Sequence, residues 1–450
     1  MTSAWADDPQ VERELRRGVI DIIPERDFFD ALASGRSLRL KLGLDPSKPD
    51  LHIGHGVLLR KLRLLQEMGH QVVLIVGDWT ARIGDPSGQS VMRSMLTAEE
   101  VRANAETYMR QFFYVVDKAK TEVRWQSEWF DKFTLADTVR LAARFTVAQM
   151  LQREDFRQRY EAQKPLGVHE LFYPLLQAYD SIAIQSDVEF GGTDQLFNLL
   201  VGRELQEHMG QRPQICITMR LLVGTDGSQK MSKSLGNTID FEDPPAEQYG
   251  KVMSIPDSAL VSYLELATDI GDEEIAYMRK QIEEGSGATR MEIKKRLARE
   301  IVGQFHGETS AREAEAEWSR VFQEREFGGA SMPEVRIDEL RAADEEKVPI
   351  DSLPEVDQQF VSGASPSDVA ETLKELRELG KSIKGATFLV EFGFAPSLAE
   401  ARRLIKQGAL RKNDETVTSL FFRVKPGDVL RIGKHRFLRI VDADREAKTS

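Results

Sequence analysis

The chain reads as an α/β protein: an open parallel sheet with an inserted helical segment, then a small α-helical domain, then a C-terminal α+β domain. Three observations predict this. Gln71–Val76 (QVVLIV) is a continuous apolar run, the pattern of a strand buried on both faces of a parallel sheet. Strand-like runs feed loops rich in Gly, Asp, Pro and Ser, as at GDWT and IGDPSG after Val76, where open α/β sheets hold ligands. The charge is also divided. Residues 381–450 carry 15 Lys and Arg against 8 Asp and Glu, while the whole chain has a net charge of −12.

Bulk properties narrow the class. A chain of 450 residues accommodates about three domains. A hydrophobic content of 41% is enough for real cores. The single cysteine, Cys216, makes no internal disulfide, which suits a reducing cytoplasm and excludes a cysteine-based zinc site. No apolar run approaches the roughly 20 residues needed to span a bilayer, so no membrane partner is expected. The polar, acidic start is not a secretory signal. A basic tail on an acidic body is the asymmetry of an appended RNA-binding module.

Residues 1–35 carry helical spacing at Val11, Leu15, Val19, Ile20 and Ile23. Leu38, Leu40 and Leu42 then alternate as a strand. Gly43, Pro46 and Pro49 end it, and an apolar helix follows from Val57 to Met68. Between them lie His52 and His55, two imidazoles where a strand feeds a helix. A helix N-terminus offers free N–H groups and partial positive charge, a site for phosphate. Gly54 allows close approach of a nucleotide.

Residues 97–118 read as a long helix capped by Thr97. Residues 121–126 alternate as a strand, and helical spacing covers about 134–160 with a break before Thr146. The segment at about 115–190 reads as an insertion. Within it Phe112, Phe113, Phe130, Phe145, Val147 and Met150 form either local core or a subunit interface. On a helix over HELFYPLLQAYDS, Tyr173, Gln177 and Asp180 share one face, which points to a specific pocket. Residues 183–190 read as a strand, GGTDQ opens the next helix, and residues 214–219 form the last strand of this domain. GTDGSQKMSKSLGN is a polar loop bearing Lys230 and Lys233, and is expected to be mobile. Residues 244–322 are helical. An acidic stretch from 324 follows, with one helix at 366–379. In the tail, a helix pair containing EARRLIKQGAL leads into short basic strands.

HIGH at 52–55 and KMSKS at 230–234, in this order, resemble the signature pair of class I aminoacyl-tRNA synthetases. With IGDPSG, YPLLQAYDS, GGTDQ and the tail, the chain resembles the bacterial tyrosyl-tRNA synthetases from end to end. The resemblance implies a Rossmann-like catalytic domain over 1–228, a KMSKS loop over 229–243 and a helical anticodon-binding domain over 244–323. It implies a linker over 324–382 and an RNA-binding domain like ribosomal protein S-four over 383–450. The implied activity is that of a tyrosine–tRNA ligase. ATP and L-tyrosine give tyrosyl-adenylate and pyrophosphate, and the tyrosyl group then moves to the 3′ end of tRNA(Tyr). A homodimer is implied, with the insertion at its interface. ATP enters with Mg²⁺, and no protein-bound metal is expected.

The family's site residues map onto this chain as expectations. His52, His55, Lys230 and Lys233 are the catalytic set at the phosphates. Asp45, Gly54, Arg93, Gly192, Asp194, Met231, Ser232 and Ser234 contact ATP. Thr80, Asp85, Tyr173, Gln177, Asp180 and Gln195 contact tyrosine, with Asp180 accepting from the phenol. Tyr173, Gln177 and Asp85 meet the α-amino group. The chain departs from a common bacterial form at Lys41 and Leu42, where Tyr and Cys are frequent, and at Gln89. Lys41 is expected to lie near Asp180 and restrain it, joining the tyrosine set. Three rivals stand beside this reading: a tryptophanyl-tRNA synthetase, a cytidylyltransferase using its own HxGH, and an RNA-binding protein on an inactive synthetase body.

Overall fold

Six short apolar segments pair into one sheet in the computed structural model, which describes residues 9–47, 50–86, 96–322, 334–338, 340, 381–392, 394–395, 397–413, 415–433 and 436–442. The strands are β1 (Val19–Ile23), β2 (Arg39–Leu44), β3 (Gln71–Val76), β4 (Thr121–Trp125), β5 (Val188–Gly192) and β6 (Ile215–Met219). Their order is β1-β6-β5-β2-β3-β4. β2 pairs in parallel with both β3 and β5, β3 with β4, and β5 with β6; β1 runs antiparallel to β6. From β2 the chain adds strands on one side, then returns to add β5 and β6 on the other. The order therefore reverses between β2 and β5, and the crevice at their carboxyl ends is where such sheets bind ligands.

The helices of this unit are α1 (Pro9–Arg16), α2 (Glu25–Ala33), α3 (Ile53–Glu67), α4 (Thr80–Ile83) and α5 (Ala98–Phe112). Next come α6 (Ser127–Phe130), α7 (Leu135–Ala142), α8 (Val147–Met150), α9 (Glu154–Glu161), α10 (Tyr173–Ile184) and α11 (Leu196–His208). After β6 the chain is helical: α12 (Pro245–Ser254), α13 (Leu260–Ala267), α14 (Asp272–Glu284) and α15 (Gly287–Phe322), the last interrupted at Gly307, whose φ is 82°. Leu40, Val72, Val73, Ile75 and Val188 are wholly buried, as expected of strands covered on both faces.

Three sequence expectations change, and one left open between core and interface is decided in part. Residues 19–23 are a strand, not part of a helix: Gly18 sits at φ 72° and ends α1, and the β-branched run pairs with β6. Residues 183–190 divide between the end of α10 and β5, because Gln185 adopts a left-handed conformation that closes the helix. The helix after Thr97 ends at Phe112, although Thr97 does cap it through Glu100. Phe112, Phe130 and Met150 are buried core, leaving exposed apolar side chains at Leu135, Val139, Val147, Tyr160 and Val168.

The chain divides into two compact units, Met1–Glu315 and Ala316–Ser450. In the second, β9 (Leu410–Lys412), β10 (Glu415–Thr416), β12 (Val429–Ile432) and β13 (Arg436–Val441) form a sheet with β7 (Glu334–Arg336), and β8 (Lys381–Lys384) pairs with β11 (Phe421–Val424). Two helices, α16 (Gly385–Glu391) and α17 (Leu398–Lys406), pack with them around Phe388, Leu389, Ile405, Leu430 and Ile440. Ser397 caps α17 by accepting from Glu400 N–H. The helix expected at 366–379 lies outside the described residues. Among the described residues no helix is long and apolar enough to cross a membrane.

Candidate active site

The strand-to-helix turn after β2 places His52 at the N-cap of α3. The His52 backbone N–H donates to His55 Nδ1 at 3.2 Å, and the two rings lie 3.9 Å apart. A neutral imidazole that accepts at Nδ1 carries its proton on Nε2, so His55 presents a donor there. Burial, with Lys233 nearby, pushes the His55 pKa down to about 4. Burial, His55 and Lys233 hold His52 well below the usual range. Both rings are therefore neutral at physiological pH and act as hydrogen-bond donors, not as cations. His52 Nδ1 is buried with no hydrogen-bond partner among the described residues.

The positive charge comes from the distant loop. The His52–Asp240 bridge and the Ile53 N–H to Ile239 carbonyl bond (3.0 Å) bring the chain after KMSKS against the start of α3. Lys233 Nζ lies 3.2 Å from Asp50 and 3.5 Å from Asp240, and Lys230 Nζ lies 2.8 Å from Asp194. A Cβ on Gly54 would press the His52 ring, meeting Nδ1 at 2.9 Å, while Met231 Cβ lies at an ordinary contact distance of 3.6 Å, so a side chain here would displace His52. The loop itself is stapled. Val223 pairs with Lys230, Ser232 N–H donates to Asn237 at 2.8 Å, and the Ser232 and Ser234 hydroxyls are 3.0 Å apart.

The face predicted on α10 meets Asp45, the residue that follows β2. Asp45 accepts from the Tyr173 hydroxyl at 2.8 Å and from the Thr80 hydroxyl at 2.6 Å. Burial and Asp45 raise the Tyr173 pKa well above its ordinary value, so the phenol stays a donor. Thr80 is buried and holds Asp45 in place. Asp85 accepts from Gln195 at 2.8 Å, and Arg153 approaches its other oxygen at 3.5 Å. Asn198, hydrogen-bonded to both Gln195 and Arg153, braces that group. Gly192 closes β5 two residues before Asp194.

Asp180 is wholly enclosed. Its oxygens accept from Gln126 Nε2 at 2.8 Å and Trp129 Nε1 at 3.2 Å. Burial raises its pKa to about 7, against the opposing pull of Lys41 and Gln126. Gln126 Oε1 in turn accepts from the Trp79 and Thr80 backbone N–H groups. Gln126 and Trp129 were not among the sequence candidates; nothing in the local pattern of β4 and α6 links them to α10.

Lys41 makes its direct bonds to groups other than Asp180. Its ammonium pairs with Glu189 at 2.9 Å and donates to the Gln177 carbonyl (2.7 Å) and the Ser181 hydroxyl (2.8 Å). It acts on Asp180 only through space. Arg93 and Gln89 lie outside the described residues. Among the described residues, no group of three or more His, Cys, Asp or Glu is placed to hold a metal ion.

Comparison with known proteins decides the family. The sequence model described as tRNA synthetases class I (W and Y) matches residues 33–323. A tyrosine–tRNA ligase of Dehalococcoides mccartyi (strain CBDB1) is 51% identical over 432 residues, covering 96% of this chain and 98% of the relative. The chain belongs to the tyrosine–tRNA ligase family. The Thermotoga maritima ligase is 46% identical, covering 95% of this chain and 96% of the relative. The S4 domain model matches residues 386–430, which carry α16, α17 and the first basic strands. A truncated mitochondrial tyrosyl-tRNA synthetase of Aspergillus nidulans has the same fold, with a TM-score of 0.58 at 22% identity over 70% of this chain and 94% of that one. The Archaeoglobus fulgidus tyrosyl-tRNA synthetase complexed with L-tyrosine has a TM-score of 0.54 at 21% identity, covering 68% and 99%.

The raised Asp180 gives a pH test. The folded protein keeps this proton up to about pH 7, whereas an unfolded aspartate loses it at about 4. The folded state binds more protons in that window, so this group lowers stability as pH rises through it. Urea unfolding at about pH 5 and about pH 7.5 should show a smaller fall in Asp180→Asn than in the wild type. Equal falls would contradict burial as the cause.

Proposed function

We propose that this ligase-family chain activates L-tyrosine with ATP and transfers the tyrosyl group to the 3′ end of tRNA(Tyr). The observation that carries the reading is the meeting of His52 and His55 with Lys233, on a sheet whose neighbouring helix presents Tyr173, Gln177 and the buried Asp180 carboxyl on one face. Adenylate formation is an in-line displacement: the tyrosine carboxylate attacks the α-phosphorus and pyrophosphate leaves. The carboxylate is already a nucleophile, so positioning and charge stabilisation do the work. The neutral imidazoles donate to phosphate oxygens as charge builds on them. Lys233 and Lys230 exchange their carboxylate partners for the leaving pyrophosphate. Mg²⁺ arrives with ATP as part of the substrate.

At the amino-acid end, Tyr173, Gln177 and Asp85 receive the ammonium, and Asp180 receives the phenol hydroxyl. Phenylalanine leaves that buried acceptor unmatched. The roughly 10⁵-fold discrimination of this enzyme family is itself the standard worked case of this effect.

Domain roles follow the same reading: residues 1–228 are catalytic, 244–323 meet the anticodon arm, 324–382 link, and 383–450 bind RNA. The exposed Leu135, Val139, Val147, Tyr160 and Val168 support a homodimer through the inserted segment. A cytoplasmic location suits the buried free thiol of Cys216.

Amino-acid-dependent pyrophosphate exchange tests the reading. Exchange with tyrosine and not tryptophan is expected, and Lys233→Ala should lower its rate by about 10²–10³-fold with tyrosine binding unchanged. Exchange with tryptophan, or with no amino acid, would overturn it. Deletion of 383–450 should abolish tRNA charging and spare exchange; equal loss of both would make the tail a structural element.

A further inference from the structure

Beneath the amino-acid face of α10 lies a buried carboxylate that the expected site does not include. Glu189, on β5, is 1% exposed, and its ion-pair partner Lys41, on β2, is wholly buried. Four donors converge on this one carboxylate: Lys41 Nζ at 2.9 Å, Gln177 Nε2 at 3.1 Å, the Ser181 hydroxyl at 3.2 Å, and Gln214 Nε2. An ionised carboxylate accepts only, with about four lone-pair directions, so it can satisfy all four.

The consequence falls on Gln177. An amide has one donor end and one acceptor end. With Nε2 directed at Glu189, Oε1 takes no hydrogen bond from the protein among the described residues and remains as an acceptor. Gln177 is half-buried, while Tyr173 and Asp180 flank it on the same helix face. Lys41 fixes the same residue from its main chain, donating to the Gln177 carbonyl at 2.7 Å.

We infer that Glu189, held by Lys41, is a positioning residue for tyrosine recognition: it sets the orientation of the Gln177 amide so that Oε1 accepts from the substrate's α-ammonium. This rests on the proposed tyrosine site and adds to it the device that fixes its polarity. Lys41 compensates Glu189, since an unpaired buried carboxylate among apolar strands is costly.

The test is Glu189→Gln. A glutamine presents an NH₂ group where four donors converge, which favours turning the Gln177 amide so that its own NH₂ faces the ammonium. The KM for tyrosine in pyrophosphate exchange should rise about 10–100-fold, the loss expected for a hydrogen bond to a charged group. The KM for ATP should be unchanged. Competitive inhibition by desamino-tyrosine (hydroxyphenylpropionate), which has no ammonium, should also be unchanged.

A general loosening of the pocket would weaken both ligands alike and overturn the inference, as would an unaltered tyrosine KM. If Glu189→Gln does not fold, the double variant Lys41→Met/Glu189→Leu replaces the pair by apolar side chains, a change that buried pairs often tolerate. It should show the same divergence between tyrosine and its desamino analogue, and equal effects on the two would again overturn it. Failure of the wild-type protein to exchange with tyrosine would instead refute the proposed function.

Discussion

The proposed active region depends on one electrostatic constraint: several like charges must be kept within reach of a polyphosphate before it binds. The chain meets this by dividing the task. The two imidazoles on α3 are held neutral by burial and by Lys233. The two ammonium groups come from a loop more than 170 residues away in sequence, each parked on a carboxylate: Lys230 on Asp194, Lys233 on Asp50 and Asp240. Neutral donors can sit 3.9 Å apart where two imidazolium ions would repel.

The reversal of strand order between β2 and β5 makes this arrangement possible. It opens a crevice into which β2 delivers Asp45 and the start of α3, while β5 delivers Gly192 and Asp194. Asp45 ties the two halves by accepting from Tyr173 and Thr80. On the far side, Gln126 and Trp129 fix Asp180, and Lys41 with Glu189 fixes the Gln177 side of the same helix. The polarity of the α10 face is thus set by buried groups drawn from four strands or their ends. No single loop would hold them as firmly.

Much of this was legible in the sequence, for identifiable reasons. HIGH and KMSKS combine residue type with local spacing, so they are legible without any tertiary contact. Tyr173, Gln177 and Asp180 share a face because helical periodicity dictates it. The strand at 19–23 was missed because Val19, Ile20 and Ile23 also fit a helical spacing, and only pairing with β6 decides between the two. Gln126, Trp129 and Glu189 were illegible because their importance lies in tertiary hydrogen bonds spanning 54, 51 and 12 residues. Lys41 stands out in the sequence and is expected near Asp180, on which it acts through space, while its ion pair is made elsewhere. Its ammonium reaches Glu189 on the adjacent strand β5, in register with it.

The most direct measurement is a crystal structure of the chain with a non-hydrolysable ATP analogue. The account predicts that Lys233 Nζ leaves Asp50 and Asp240 for a β- or γ-phosphate oxygen, at about 2.7–3.0 Å. His52 and His55 should donate to phosphate oxygens of the same nucleotide. A bound nucleotide whose phosphates lie away from both imidazoles, with Lys233 still paired to its aspartates, would contradict it.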